Sequence, residues 1–241
     1  MVRQEVLTTL ACGALSTACP ALALHLSASG HLRGYCGAPH GLAYEVASFA
    51  AMMVACDSFE WAYHWAGHRL PALWARHRHH HVFYNPSPFA VIADDYVDQV
   101  VRAAPMLVLP AVAAVNIDVL FLSFAALFYA YGAYLHWGHE TDWPDAHHPW
   151  INTAYQHYLH HAKSGSRTPY HTGFFIKLWD QLAGGDKTAE DKARGACGCV
   201  KCARARGERS RAKWDALPKP DYSPLLSARF WLTGAKAANA A

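Results

Sequence analysis

Histidine is the residue type that sets this chain apart: 17 of 241 positions, against 18 acids. Ten of the histidines fall into four short groups: His64 and His68; His77, His80 and His81; His136 and His139; His157, His160 and His161. On a helix, positions i, i+3 and i+4 project from one face, so each group can aim two or three ring nitrogens at a common point. Neutral imidazole is a frequent ligand for iron, zinc, copper and nickel. A single zinc site needs three or four ligands, so ten nitrogens suit two metals with about five each and positions left open for a small molecule. The Glu and Glu-x-x-His pairs of ferritin-like di-iron bundles are absent. A nitrogen-rich metal pair with open positions, set beside apolar helices, points to O2 activation directed at a lipid. Zinc binds such sites more tightly than Fe(II), so it is the expected adventitious replacement. His25, His31 and His40 read as ordinary surface imidazoles, and His147 and His148 as loop residues before Pro149.

Carboxylates should stand behind the ligands, because a carboxylate that accepts the second ring N–H fixes the imidazole tautomer. Asp57 and Glu60 lie two turns and one turn before His64 and are assigned this role, with Asp57 the leading candidate; Asp180 is assigned it as well. Asp94, Asp95 and Asp98 follow the second group and read individually as solvated or capping acids.

These groups must be held by helices, most of them in a membrane. Hydrophobic residues make up 53% of the chain and charged residues 16%. Soluble domains carry about 25% charged residues. The mean hydropathy is only −0.02, so apolar residues are segregated into runs. Residues 6–26 have the length of a span; Arg3 and the Ala21-Leu22-Ala23 step make a cleavable leader the competing reading of that run. Residues 41–56 are shorter and carry Glu45. Residues 103–135 are long enough for two antiparallel passes, with Pro110 or Asn116-Ile117-Asp118 as the turn. An even number of passes between the two histidine-rich regions puts both on one side of the membrane. No strand alternation is sustained, so the fold class is all-α, with about three to four membrane helices. The formal charge of +3 argues against nucleic acid, the apolar content against disorder, and seven cysteines against a secreted disulfide framework.

Asp57-Ser-Phe-Glu60-Trp-Ala-Tyr-His64, His64-x-x-x-His68, His77-x-x-His80-His81 and His157-x-x-His160-His161 resemble the fatty acid hydroxylase/sterol desaturase superfamily. Asn85-Pro-Ser-Pro-Phe-Ala90 is similar to the (S/T)-P-(F/Y)-A segment of sterol C-5 desaturases, and residues 173–184, with Trp179-Asp180, are similar to the closing G-x-x-x-x-x-W-D-x-L-F-G element. The resemblance covers roughly residues 45–185. It implies a multi-pass endoplasmic-reticulum membrane enzyme (a plastid membrane is the other setting), with a few membrane helices under a cytosolic helical cap that holds the metals; the positive-inside tendency of the basic tail puts the tail in the cytosol too. It implies two Fe ions, O2 as co-substrate, and electrons from NAD(P)H through a cytochrome b5-type donor. Carried over by position, His64, His68, His77, His80, His81, His136, His157, His160 and His161 become ligands; His139 joins them, although its i, i+3 spacing differs from the i, i+4 of many hydroxylases. His79 is read as a spare, and His171 as a loop residue or an extra ligand.

The expected organisation is N-terminal membrane helices over 1–56, a catalytic region over 57–185 that includes the hairpin, and a basic tail over 186–241. Within the tail, Lys187, Lys192, Arg194, Lys201, Arg204, Arg206, Arg209, Arg211 and Lys213 make a face suited to anionic lipid or an acidic electron donor. Cys197, Cys199 and Cys202 read as reduced thiols, or as three zinc ligands awaiting a fourth. The leading function is a di-iron lipid desaturase or hydroxylase acting on a sterol. The alternatives are a fatty acid, sphingolipid or C-4 methylsterol hydroxylase, and a membrane metal-binding or transport protein. The last would place histidines inside the spans, lining a path.

Overall fold

The computed structural model describes residues 2–83, 86–164, 169–209 and 223–233. Asn85, part of the 162–172 link, Arg211, Lys213 and the segment just after Trp214 lie outside the described residues. The chain is mostly helical: α1 (Val2–Ser16), α2 (Ala18–Ala28), α3 (Leu42–Arg69), α4 (Pro71–His81), α5 (Tyr96–Ala103), α6 (Pro105–Val112), α7 (Ile117–Leu122), a π-helical stretch (Ser123–Tyr129), α8 (Ala130–His136), α9 (Ala154–Lys163), α10 (Leu178–Ala183), α11 (Thr188–Ala193) and α12 (Val200–Ala205). Three helical runs are long and apolar enough to cross a membrane: Val2–Ala28, Leu42–Arg69 and Ile117–His136. The chain is a multi-pass membrane protein.

Four segments, α1–α2, α3, α5–α6 and α7–α8, alternate in direction. The starts of α3 and α7 are tied together by a short parallel pairing of Gly34–Tyr35 (β1) with Val115–Asn116 (β2), which with a lone antiparallel bridge between Ile151 and Ile176 departs from an all-helical fold. Tyr44 donates its hydroxyl to the Ala114 carbonyl at 2.7 Å, and Asn116 caps α7 by accepting from the Asp118 and Val119 amides at 3.1 and 3.2 Å. At their far ends α3 and α8 deliver His64, His68 and His136 to one place. The two spans therefore run parallel, and α5–α6, which packs against α1 and α2, is the return that joins them along the chain. The start of α1 meets the site end, where buried Glu5 accepts from Ser87 and Cys12 donates to the Asp94 carbonyl at 3.1 Å.

Two boundaries differ from the hydropathy reading. The apolar run over 41–56 is the first part of one helix that runs on to Arg69, with Asp57 and Glu60 buried against partners. The returning arm starts at Tyr96 rather than 103, and its turn is 113–116, with Pro110 inside α6. Hydropathy misses α5 because the face it buries is polar, carrying Asp98 and Gln99.

The apolar core joins these segments through Met52, Met106, Leu120, Phe124, Phe128 and Phe174. Close approach of α8 to the turn over Pro88–Ile92 requires Gly132, where a Cβ would collide with the Val91 side chain. Gly132→Ala is expected to destabilise the detergent-solubilised chain by about 1–3 kcal/mol through overpacking, and Val91→Ala in the same chain should recover most of it. Thermal melts of the two single variants and the double variant check this.

Candidate metal centre

Four helices bring nine imidazoles together. α3 presents His64 and His68 from its last turns. Extended Leu70 then redirects the chain, and Pro71 opens α4, which presents His77, His80 and His81. α8 ends on His136, and α9 contributes His157, His160 and His161. The nitrogens form two groups. His64, His68, His77, His81 and His160 make one; His80, His136, His157 and His161 make the other, with ligand atoms in each within 4.8 Å of one another. α4 and α9 each feed both groups, so the i, i+3, i+4 spacing spans two centres rather than converging on one.

The ring nitrogens face each other at short range. His64 Nε2 and His160 Nε2 are 2.8 Å apart, His160 Nε2 and His81 Nε2 3.1 Å, and His81 Nε2 and His77 Nε2 3.2 Å. In the other group, His157 Nε2 lies 2.9 Å from His136 Nε2 and 3.2 Å from His161 Nε2, and His80 Nε2 is 3.4 Å from His136 Nε2. Ligands about 2.0–2.1 Å from a metal stand about 2.9–3.4 Å apart at neighbouring positions.

Three of the opposite ring nitrogens are committed to carbonyls. His64 Nδ1 donates to the Thr172 carbonyl at 2.9 Å, His160 Nδ1 to the Tyr170 carbonyl at 2.8 Å and His136 Nδ1 to the Gly132 carbonyl at 2.6 Å. A carbonyl can only accept, so in the neutral ring each Nε2 carries a lone pair. His64 and His160 thus point two lone pairs at each other across 2.8 Å, which only a cation can reconcile. Burial disfavours a proton there: the α4 and α9 imidazoles at 77, 80, 81, 157, 160 and 161 are all held well below the usual histidine range, first by desolvation and then by their neighbouring rings. The donor set and its geometry fit metal ions.

The carboxylates stand elsewhere than the sequence assigned them. Asp57 touches no imidazole; it accepts from the Phe175 amide at 2.8 Å and from Trp179 Nε1 at 2.9 Å. Asp180 accepts from the Thr172 hydroxyl at 2.7 Å, the Gly173 amide at 2.6 Å and Trp61 Nε1 at 3.1 Å. Glu60 pairs with Arg102 at 2.5 Å. Asp57 and Asp180 instead clamp the 172–180 segment, whose Thr172 carbonyl holds His64. The acids facing ligand rings are Asp98, 3.5 Å from His77 Nδ1, and Asp94, 3.4 Å from His80 Nδ1. Neither facing oxygen has a hydrogen-bond partner among the described residues, so each buried oxygen is left with its imidazole at charge-pair range as the nearest compensation. Burial pushes the Asp94 carboxyl up to about 7, with the Arg102 guanidinium 2.6 Å away pulling the other way. The signal that could have found them is helical phase: Asp98 shares the buried face of α5 with Gln99.

His139 is a correction. It is exposed and outside both groups, because α8 ends at His136 and Gly138, at φ 83°, turns the chain away. His79 is exposed on α4. His171 is buried at φ 53°, with Nδ1 3.7 Å from Asp186, and it too lies outside both groups. His148 accepts the Trp150 and Ile151 amides at 3.3 and 3.0 Å, a loop-closing role.

The fatty acid hydroxylase family model matches residues 49–185, more than half of the chain and all nine gathered histidines. The chain belongs to the fatty acid hydroxylase family, a metal-dependent family of membrane lipid hydroxylases and desaturases. No curated protein and no solved structure matches it.

Two outcomes follow from the geometry. Histidines held neutral below their unfolded range near pH 6.5 bind fewer protons than the unfolded chain on acidification. Their contribution to stability is complete above about pH 6.5 and is lost as pH falls. The melting temperature of the metal-free chain should therefore drop between about pH 6.5 and 5, while staying flat from about 7 to 8. A flat profile across the acidic range would contradict the buried, neutral cluster. Separately, Asp98→Asn should lower metal retention by about 10–100-fold with a small change in melting temperature, whereas Asp57→Asn should act mainly on the melting temperature. Metal content and melts on the same preparations distinguish the two.

Proposed function

We propose that this chain is a di-iron enzyme that uses O2 and two electrons to desaturate or hydroxylate a membrane lipid, with a sterol as the substrate. The observation that carries the reading is the pair of imidazole groups with converging Nε2 lone pairs, set at the ends of two spans beside an apolar cavity. Two iron ions held by His64, His68, His77, His81 and His160 and by His80, His136, His157 and His161 would supply the power to reduce O2 and remove hydrogen from an unactivated carbon.

The protein's own residues hold and shape that chemistry. The carbonyls of Thr172, Tyr170 and Gly132 fix ring tautomers. Arg102 locks Glu60 of α3 to Asp94 and lines both the histidine cavity and the neighbouring apolar one. That second cavity is walled by Val91, Ile92, Phe124, Phe128 and Phe174, and Phe174 also borders the histidine cavity. A hydrophobic chain lying against Phe124 and Phe128 would be led to the imidazoles with water excluded. The π-helical stretch aims this wall; such stretches recur at functional sites. Support for the sterol branch is Ser87-Pro88-Phe89-Ala90, whose turn places Val91 and Ile92 on the cavity wall.

The exposed Lys192, Arg194, Lys201 and Arg204 of α11 and α12 suit an acidic, cytochrome b5-type donor, with this face cytosolic on the endoplasmic reticulum. Metal transport is the weaker reading, because the gathered histidines sit at span ends and beyond.

The test is lipid extraction from a sterol-desaturase-deficient host that expresses the chain, read by mass spectrometry. The expected result is a host sterol that has lost two hydrogens or gained one oxygen. His160→Ala should abolish the product while the chain still inserts in the membrane. An altered acyl lipid in place of a sterol would reassign the substrate; unaltered lipids, with iron loaded and a donor present, would refute the enzyme reading.

A further inference from the structure

A second ligand cluster stands apart from the histidine centre and shares no residue with it. Cys197, Cys199 and Cys202 lie at and just before the start of α12, and His147 comes from the loop between α8 and α9. One atom, His147 Nε2, faces all three sulfurs: Cys197 Sγ at 3.4 Å, Cys199 Sγ at 3.4 Å and Cys202 Sγ at 3.3 Å. All four ligand atoms lie within 4.8 Å of one another. A tetrahedral zinc with Zn–N about 2.0–2.1 Å and Zn–S about 2.3 Å sets each N–S edge at about 3.5 Å. The three edges match that figure together, which a chance approach of one histidine to a thiol would not produce. All three cysteines are free thiols, so the cluster is not a disulfide.

From this we propose that Cys197, Cys199, Cys202 and His147 form a structural zinc site that fastens the C-terminal segment to the back of α9. Soft thiolates select zinc, whereas the imidazole-only groups do not discriminate in that way. Four protein ligands close the coordination sphere, which marks the site as structural rather than catalytic. Binding releases the thiol protons to solvent and leaves three thiolates with one neutral imidazole around Zn2+.

The surroundings suit this charge. The Cys202 amide donates to Cys199 Sγ at 3.4 Å, and Arg206 donates to the Cys197 carbonyl at 2.9 Å. Asp145 accepts the His147 amide and Lys201 Nζ, both at 2.9 Å, tying the histidine loop to the cysteine segment. Buried Cys197 and Cys199 pack with Ala146, Tyr155 and Leu159. Tyr155 accepts the Gly198 amide at 2.7 Å, two residues before the candidate iron ligand His157. The zinc would therefore set the position of α9 from the side opposite the histidine centre. It does not depend on what reaction that centre performs.

The test uses the full chain in detergent. With the histidine groups filled by iron and one zinc per chain, X-ray absorption at the zinc edge is expected to show about three sulfur neighbours near 2.3 Å and about one nitrogen near 2.0–2.1 Å. With cobalt in place of zinc, wild type should show intense thiolate-to-cobalt charge-transfer absorption. His160→Ala should keep that absorption, and Cys199→Ser with Cys202→Ser should lose it. Retention in His160→Ala keeps the zinc proposal separate from the iron reading. A zinc edge with only nitrogen and oxygen neighbours, or a disulfide among these cysteines in the unreduced chain, would overturn the proposal without any variant having to fold.

Discussion

Two neutral imidazoles whose N–H bonds are spent on carbonyls repel each other when their lone pairs meet, and His64 and His160 meet at 2.8 Å. The rest of the structure is arranged around that constraint. The Thr172 and Tyr170 carbonyls that hold the two rings belong to one stretch of chain, and that stretch is fixed by Asp180 and Asp57 from below. The clamp reaches across to α3 through Trp61 and Asp57 itself. The closing Trp179-Asp180 element is therefore part of the site's rigidity: Trp179 donates to Asp57, and Asp180 receives the donors that orient Thr172.

The membrane helices solve a second problem, which is how to bring distant histidines to one point without a large soluble core. α3 and the α7–α8 span are tied at one end by β1 and β2 and converge at the other on the imidazoles. A 28-residue helix rises about 42 Å, enough to carry the chain from that tie across a bilayer to the site. Positive charge at Arg102 offsets two carboxylates buried beside the ligands, so that α3, α5 and the 88–94 segment close over the cavity as one polar seam. Apolar residues alone would seal this region but would leave His77 and His80 unsupported.

What the sequence disclosed was the spacing of ligands along each helix, because i, i+3 and i+4 are local. His77, His80 and His81 read correctly as one face, but the division between two groups depends on where α9 crosses α4, which is not local. His139 shows the limit of spacing: it stands one turn beyond His136, yet the helix ends between them. The choice of Asp57 over Asp94 and Asp98 failed for a related reason. Helical phase placed Asp57 on the face of His64, but a carboxylate two turns away meets the element packed there, residues 175–179, before it meets a ring on its own helix. The returning arm was mislocated because hydropathy cannot see a helix whose buried face is polar.

The loop from 137 to 153 has the most consequential position in the fold, although it carried no strong signal. It begins where α8 delivers His136 and ends where α9 begins, and α9 supplies three of the nine imidazoles. Its geometry decides whether His157 reaches His136. A loop of this length is entropically free unless something holds it. Here Gln156 donates to the Ala146 carbonyl, Tyr131 donates to the Asn152 carbonyl at 2.6 Å, and Lys177 donates to the His148 carbonyl at 2.9 Å. His147 adds the thiol cluster at the far side. The loop is thus fastened to α8, to α9, to the clamp segment and to the tail. Each attachment restrains the one relation that sequence spacing could not encode, the distance between histidines on different helices.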